Sequence, residues 1–193
     1  EEIAFRARAD QKVDRRSGVS QRLPITALEN VVSNAERRAL LGGEAEVVPR
    51  ISDIYAALPS ITGKIELEYE GELVGGEKIA RELIRRAADA TLAAIGKQFS
   101  SDEIVIWFDE GGALQVSDEV AAATMVEAFE TVPSLLSIVR ALRLADPEDR
   151  GSTAAACELV LEALVARKKI SRNDVGLFGR AAPEKRRRPC EGF

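Results

Sequence analysis

Residues 20–43 read SQRLPITALENVVSNAERRALLGG, and the spacing of their apolar positions decides the fold class. Ile25, Leu28, Val31, Val32, Ala35 and Ala39 recur at i, i+3, i+4 and i+7, the signature of an amphipathic helix. Ser20 suits the N-cap, Pro24 falls in the first turn where a missing N–H costs little, and Gly42-Gly43 stops the run. Upstream, Asp14-Arg15-Arg16-Ser17-Gly18-Val19 reads as a turn, and residues 1–13 carry a weak helical pattern through Ile3, Ala4 and Ala7.

Downstream the helical signal repeats. Pro49 and Ser52 open a short helix with Ile51, Ile54, Tyr55 and Leu58, ended by Pro59. Ile65-Glu66-Leu67-Glu68-Tyr69-Glu70 alternates apolar with acidic and predicts an extended segment, followed by a loop over 72–76. Residues 79–95 form a further helix with Gly96 as C-cap. After Ser100-Ser101-Asp102 the character changes. Ile104 to Phe108 is a short β-branched and aromatic run, Asp109-Glu110-Gly111-Gly112 turns it, and Leu114-Gln115-Val116 returns, which predicts a β-hairpin. Three helical patterns close the chain, at 118–129, 134–144 and 152–169. The expected fold is mainly α in two parts, a helical domain over 1–98 and a hairpin-plus-helices domain over 99–179, with a basic disordered tail over 180–193.

Composition excludes whole classes of chemistry. The chain has 193 residues and no histidine, which removes Ser-His-Asp triads, Cys-His dyads and imidazole acid-base catalysis. Cys157 and Cys190 are too few for a four-cysteine zinc site or a disulfide framework, and they fit a reducing cytosol. The net charge is -5, and the tail is locally basic, so the body is more acidic still; nucleic acid is not an expected partner. No apolar run reaches the eighteen or so residues of a membrane span.

Three look-alikes of functional motifs are better explained structurally. The Gly-Lys pairs at 63–64 and 96–97 lack the first glycine of a P-loop, since Leu58 and Thr91 stand there, and Ile65 and Gln98 replace the following Ser or Thr. The run Ile104 to Glu110 has the shape of a Walker B strand closing on Asp109-Glu110, but a hairpin turn explains it more simply. Glu66, Glu68, Glu70 and Glu72 suggest a cation site only by number, and a solvated strand face accounts for them. Cys157, amid Ala156, Val160 and Leu161, belongs to a core, and the basic run Lys185 to Arg188 suits either a solubilising end or an acidic partner.

Arg22 is the candidate functional residue. An arginine in the first turn of a helix is disfavoured by the dipole, so it calls for an anion supplied from elsewhere. The wording Ser17-Gly18-Val19-Ser20-Gln21-Arg22 resembles the Ser-x-Arg sensor-2 motif that opens the helical lid of AAA+ ATPases of the magnesium chelatase and MoxR branch. Residues 58–71, LPSITGKIELEYEG, are similar to the segment closing that lid in proteins like the ATPase subunit of magnesium chelatase, and the stretches 158–164 and 168–172 to the end of the same proteins.

The resemblance, spanning about residues 1–175, implies a C-terminal piece of a ring-forming ATPase whose Walker A, Walker B and sensor 1 belong to a preceding half. It implies ATP with Mg2+ as cofactor, bound mainly by that half, with Arg22 as the one nucleotide contact and catalytic residue carried here. Homo-oligomeric ring neighbours and a chelatase-like client protein are the implied partners; in magnesium chelatase the assembly inserts Mg2+ into protoporphyrin. The alternative expectation is a stand-alone helical adaptor without a nucleotide role.

Overall fold

The computed structural model describes residues 1–16 and 18–181, and over these the protein is mainly helical, with ten helices and one small three-stranded antiparallel sheet. Ser17 and residues 182–193, with Cys190 and the basic run, lie outside the described residues. The first helices are α1 (Glu2–Ala9), α2 (Leu23–Gly42), α3 (Ile51–Ala56), α4 (Leu58–Thr62), α5 (Tyr69–Val74) and α6 (Gly76–Ala94).

Helix α2 follows the periodic stretch, with two differences. Its N-cap is Arg22 rather than Ser20, and Ser20 acts one step earlier, its hydroxyl accepting the Arg22 N–H at 3.2 Å. Its buried face is narrow, consisting of Leu23, Ala35, Arg38 and Ala39, while Ile25 and Leu28 are about two-thirds exposed. Gly43 ends the helix at φ 65°, a left-handed position where a side chain would be strained, and its N–H closes on the Ala39 carbonyl.

Pro59 does not end a helix. It stands in the first turn of α4, where the proline ring suits the backbone and no N–H is needed. The extended reading holds only for 65–68, where Ile65 pairs with Val19 and Leu67 with Val13 in antiparallel bridges. From Tyr69 the chain turns helical as α5, in place of the expected extended end and loop. Gly71 allows this turn to dock, because a Cβ there would stand 2.3 Å from the Lys12 carbonyl oxygen.

The second half comprises α7 (Asp102–Asp109), β1 (Leu114–Gln115), α8 (Ala122–Glu130), α9 (Leu135–Leu142), α10 (Arg150–Ala166), β2 (Ile170–Arg172) and β3 (Leu177–Arg180). The hairpin expected over 104–116 is not formed. Ile104 to Phe108 is helical, with Ile104 and Phe108 one turn apart and fully buried, and Asp102 and Glu103 occupy the first turn that favours acids. A five-residue apolar run is compatible with either period, and the acidic start tips it to helix. β1 pairs instead with β3 (Leu114↔Phe178, Gln115↔Leu177), and β3 pairs with β2. Arg180 therefore belongs to the sheet rather than to a tail. The three later helices start and stop within a few residues of expectation, and Asp149 caps α10 by accepting from the Gly151 and Ser152 N–H groups.

Two apolar clusters carry the fold. One joins Ala4, Ala7, Val13, Leu23, Leu58, Ile61 and Ile65 to Ile79, Leu83 and Ile84 of α6. The other gathers Ile104, Phe108, Met125, Phe129, Leu135, Val160, Leu161, Leu164, Ile170 and Phe178 with Leu92 of α6. Each fully buried Leu, Ile or Phe contributes about 1.5 to 3 kcal/mol relative to exposure. Helix α6 packs against α1, α4 and α10 and thus touches both clusters.

Candidate functional site

Arg22 stands exposed at the head of α2, and no side chain caps that helix end. Among the described residues its guanidinium has no ion-pair or hydrogen-bond partner. The loop leading to it is held firmly. The Asp14 N–H donates to the Glu66 carbonyl, the Glu66 N–H to the Gly18 carbonyl, and the Ser20 N–H to the Lys64 carbonyl, each at 2.8–3.0 Å. Gly18 makes this loop possible, since a Cβ at that position would overlap the Asp14 carbonyl oxygen at 1.8 Å. The same loop forms a cavity of about 490 Å³ lined by Arg8, Ala9, Asp14, Arg15, Arg16, Gly18 and Val19. Arg8, Arg15 and Arg16 are exposed, so the surface just ahead of α2 is rich in positive charge. Such a surface, together with an unfilled helix N-terminus, can receive an anion and does no acid-base chemistry of its own.

The other sequence candidates separate. Glu66 and Glu68 lie on the extended segment and Glu70 and Glu72 on α5, so the four do not share one face. No group of three metal-ligating side chains occurs among the described residues. Asp109 ends a helix, not a strand, and pairs at the surface with Arg180 at 3.4 Å. Cys157 is fully buried, and burial, with Glu158 adding to it, pushes its thiol up to about 12, which makes it inert.

What sequence reasoning missed is a set of buried charges between α2, α3, α6 and α10. Asp53 accepts from Arg38 Nη2 at 3.1 Å, from the Arg50 N–H at 2.8 Å and from Asn34 Nδ2 at 2.9 Å. Arg38 also donates to Glu44 and to the Val48 carbonyl. Arg50 reaches the Ser117 and Val120 carbonyls and stands 3.5 Å from Glu158, whose other oxygen accepts the Ser52 N–H at 2.6 Å. One turn along α10, Glu162 accepts from the Tyr55 hydroxyl at 2.6 Å and faces Arg85 and Arg172 at 3.6 and 3.7 Å. The signal was present: Glu158 and Glu162 sit one turn apart inside the apolar run from Ala154 to Val165.

Burial raises both carboxyls above their ordinary range, against the pull of Arg50 on Glu158 and of Arg172 on Glu162. It also pushes the Tyr55 hydroxyl up. The sign of the pH effect follows. A carboxyl whose folded value is raised holds its proton more tightly when folded, so its contribution is full below the unfolded value of 4.5 and is lost as pH rises through the folded value. Denaturant midpoints measured upward from pH 4.5 should show wild type losing stability relative to Glu162→Gln, by at most about 1.4 kcal/mol per pH unit. A difference that stays flat or grows in favour of wild type would show the carboxylate to be favoured inside.

No protein-family model matches this chain, and no curated protein and no solved structure matches it either.

Proposed function

We propose that this chain forms the lid and C-terminal region of an AAA+ ATPase of the magnesium chelatase and MoxR branch, with Arg22 meeting the γ-phosphate of ATP. The observation that carries the reading is the exposed Arg22 guanidinium. It heads a twenty-residue helix, lacks a counter-ion among the described residues, and falls in the stretch that resembles sensor 2. The fit to nucleotide is partial. A phosphate suits the arginine and the uncapped helix end, whereas the described residues offer no carboxylate cluster for Mg2+. Magnesium and most of the nucleotide would thus be held by the half bearing the P-loop. ATP, once bound there, supplies the transferable phosphoryl group.

In this division of labour Arg22 reports the state of the γ-phosphate to α2, and the bridges at 13–19 and 65–67 pass its position to the rest of the lid. The exposed apolar side chains Leu40 and Leu41 of α2 and Tyr69 and Leu73 of α5 suit contacts with ring neighbours or a client. The same side chains favour the second reading, a helical adaptor that docks a protein and binds no nucleotide.

Alone, the chain should bind ATP no better than millimolar. One charge-assisted contact is worth roughly 1.5 to 3 kcal/mol before association costs, and micromolar affinity needs about 8. Calorimetric titration with a slowly hydrolysed ATP analogue and Mg2+ is the check. A micromolar fit would contradict the assignment of the nucleotide to another half.

A further inference from the structure

We propose that the cavity between α3, α6 and the β2–β3 turn is a binding site for a small oxyanion, held by Arg172 with Arg81 at its mouth. The cavity measures about 220 Å³, and Ser52, Tyr55, Arg81, Ser117, Arg172 and Gly176 are among the residues that line it. This inference is independent of the nucleotide reading.

The Arg172 side chain is 95% buried yet donates no hydrogen bond to any described residue. Its Nε and Nη1 are sealed from solvent without an acceptor. A guanidinium carries five N–H donors, and buried donors in native structures are nearly always used. The group is nevertheless held in place. The guanidinium lies over the Tyr55 ring, 3.6 Å from the ring centre, with Phe178 5.4 Å away. Its Nε faces Glu162 Oε2 at 3.7 Å, beyond hydrogen-bond reach, while Arg85 and the Tyr55 hydroxyl engage the other oxygen of the same carboxylate. Two arginines, Arg85 and Arg172, thus share this one buried carboxylate. The neighbouring acid Glu158 is engaged by Arg50 and Ser52.

Arg81 adds a second cation over the same Tyr55 ring, at 5.5 Å. It is bridged to Glu77 and to Asp174, both well exposed and able to swing aside. Asp118, also in the lining, is occupied by Arg37 and Asn34. Gly176 shapes the wall: at φ 83° it brings the turn so close to Val116 that a Cβ would stand 2.3 Å from that carbonyl oxygen. A planar fork beside a second guanidinium, in a polar recess of this size, matches the paired oxygens of a phosphate or a carboxylate.

The test is thermal unfolding of the intact chain in rising inorganic phosphate, with chloride holding ionic strength constant, and a parallel series in acetate. The proposal expects a saturable phosphate-specific rise in Tm at millimolar concentration; an equal rise in acetate would assign the site to carboxylates, within the same oxyanion chemistry. Arg81→Gln, whose ion pairs are with the exposed acids Glu77 and Asp174, should fold and weaken the response on the order of tenfold or more. Arg172→Lys should weaken it at least as far, because an ammonium lacks the fork. Absence of any rise beyond chloride in both series overturns the proposal. So does an undiminished response in Arg81→Gln, since the exposed arginines at 8, 15 and 16 would then be the binding groups.

Discussion

Asp53→Ala is expected to destabilise the chain by about 3 to 5 kcal/mol, the cost of stripping one partner from a buried ion pair. Asp53 is fully enclosed and accepts four hydrogen bonds from three residues: two from the Arg38 guanidinium and one from the Asn34 amide, both on α2, and one from the Arg50 N–H at the start of α3. Alanine would leave Arg38, itself fully buried, with only Glu44 and the Val48 carbonyl to answer its charge. It would also orphan the Arg50 N–H at the helix start, a loss of the same kind as a missing N-cap. Asp53→Asn keeps the shape and one acceptor, so it should cost less. Denaturant midpoints at neutral pH measure both. The surface pair Asp89–Arg167 is a suitable comparison, because Asp89→Ala should cost under about 1 kcal/mol. Equal losses at Asp53 and Asp89 would mean that the buried network does not hold α2 to α3.

The contrast between these two aspartates explains what the sequence made legible. Helical periodicity marked α2, α6, α8, α9 and α10; α6, α8 and α9 bury an apolar stripe and α10 is enclosed on most sides, whereas α2 buries only Leu23, Ala35, Arg38 and Ala39. The mainly helical class follows from these. Short elements were different. Ile104 to Phe108 satisfies both periods, and the acidic first turn together with the packing of Ile104 and Phe108 in the second core decides for helix. The strands of the sheet are two to four residues long, and β1 finds its partner far along the chain, so nothing local announces it. Tyr69 to Val74 is helical because Gly71 lets it dock on the Lys12 carbonyl, a contact no alternation of Glu and apolar residues reveals. Charges were the hardest to read. Asp53 and Asp89 look alike in a sequence, and burial alone makes one central and the other incidental.

Arg22 was legible as a residue of interest, though its position shifted by a turn's start: it is the N-cap of α2, outside the first turn. That placement keeps its side chain free of helix packing, so its removal should leave stability nearly unchanged. Its proposed task is electrostatic. On that proposal, charge would build on the γ-phosphate in a closed cleft between a nucleotide-binding core and the lid formed by this chain, where a fixed guanidinium acts more strongly than in water.

Losing one such contact costs on the order of a hundred- to a thousand-fold in rate, or about 2.7 to 4 kcal/mol. Arg22→Lys should recover only part of this, for want of the planar fork. The decisive measurement is ATP turnover by an assembled ATPase containing this chain, comparing wild type with Arg22→Ala and with Arg37→Ala as a control of equal charge. The account predicts a fall of at least a hundredfold for Arg22→Ala, with the unfolding midpoint preserved and Arg37→Ala near wild type. Turnover by Arg22→Ala equal to wild type, or no lower than the control, would contradict it.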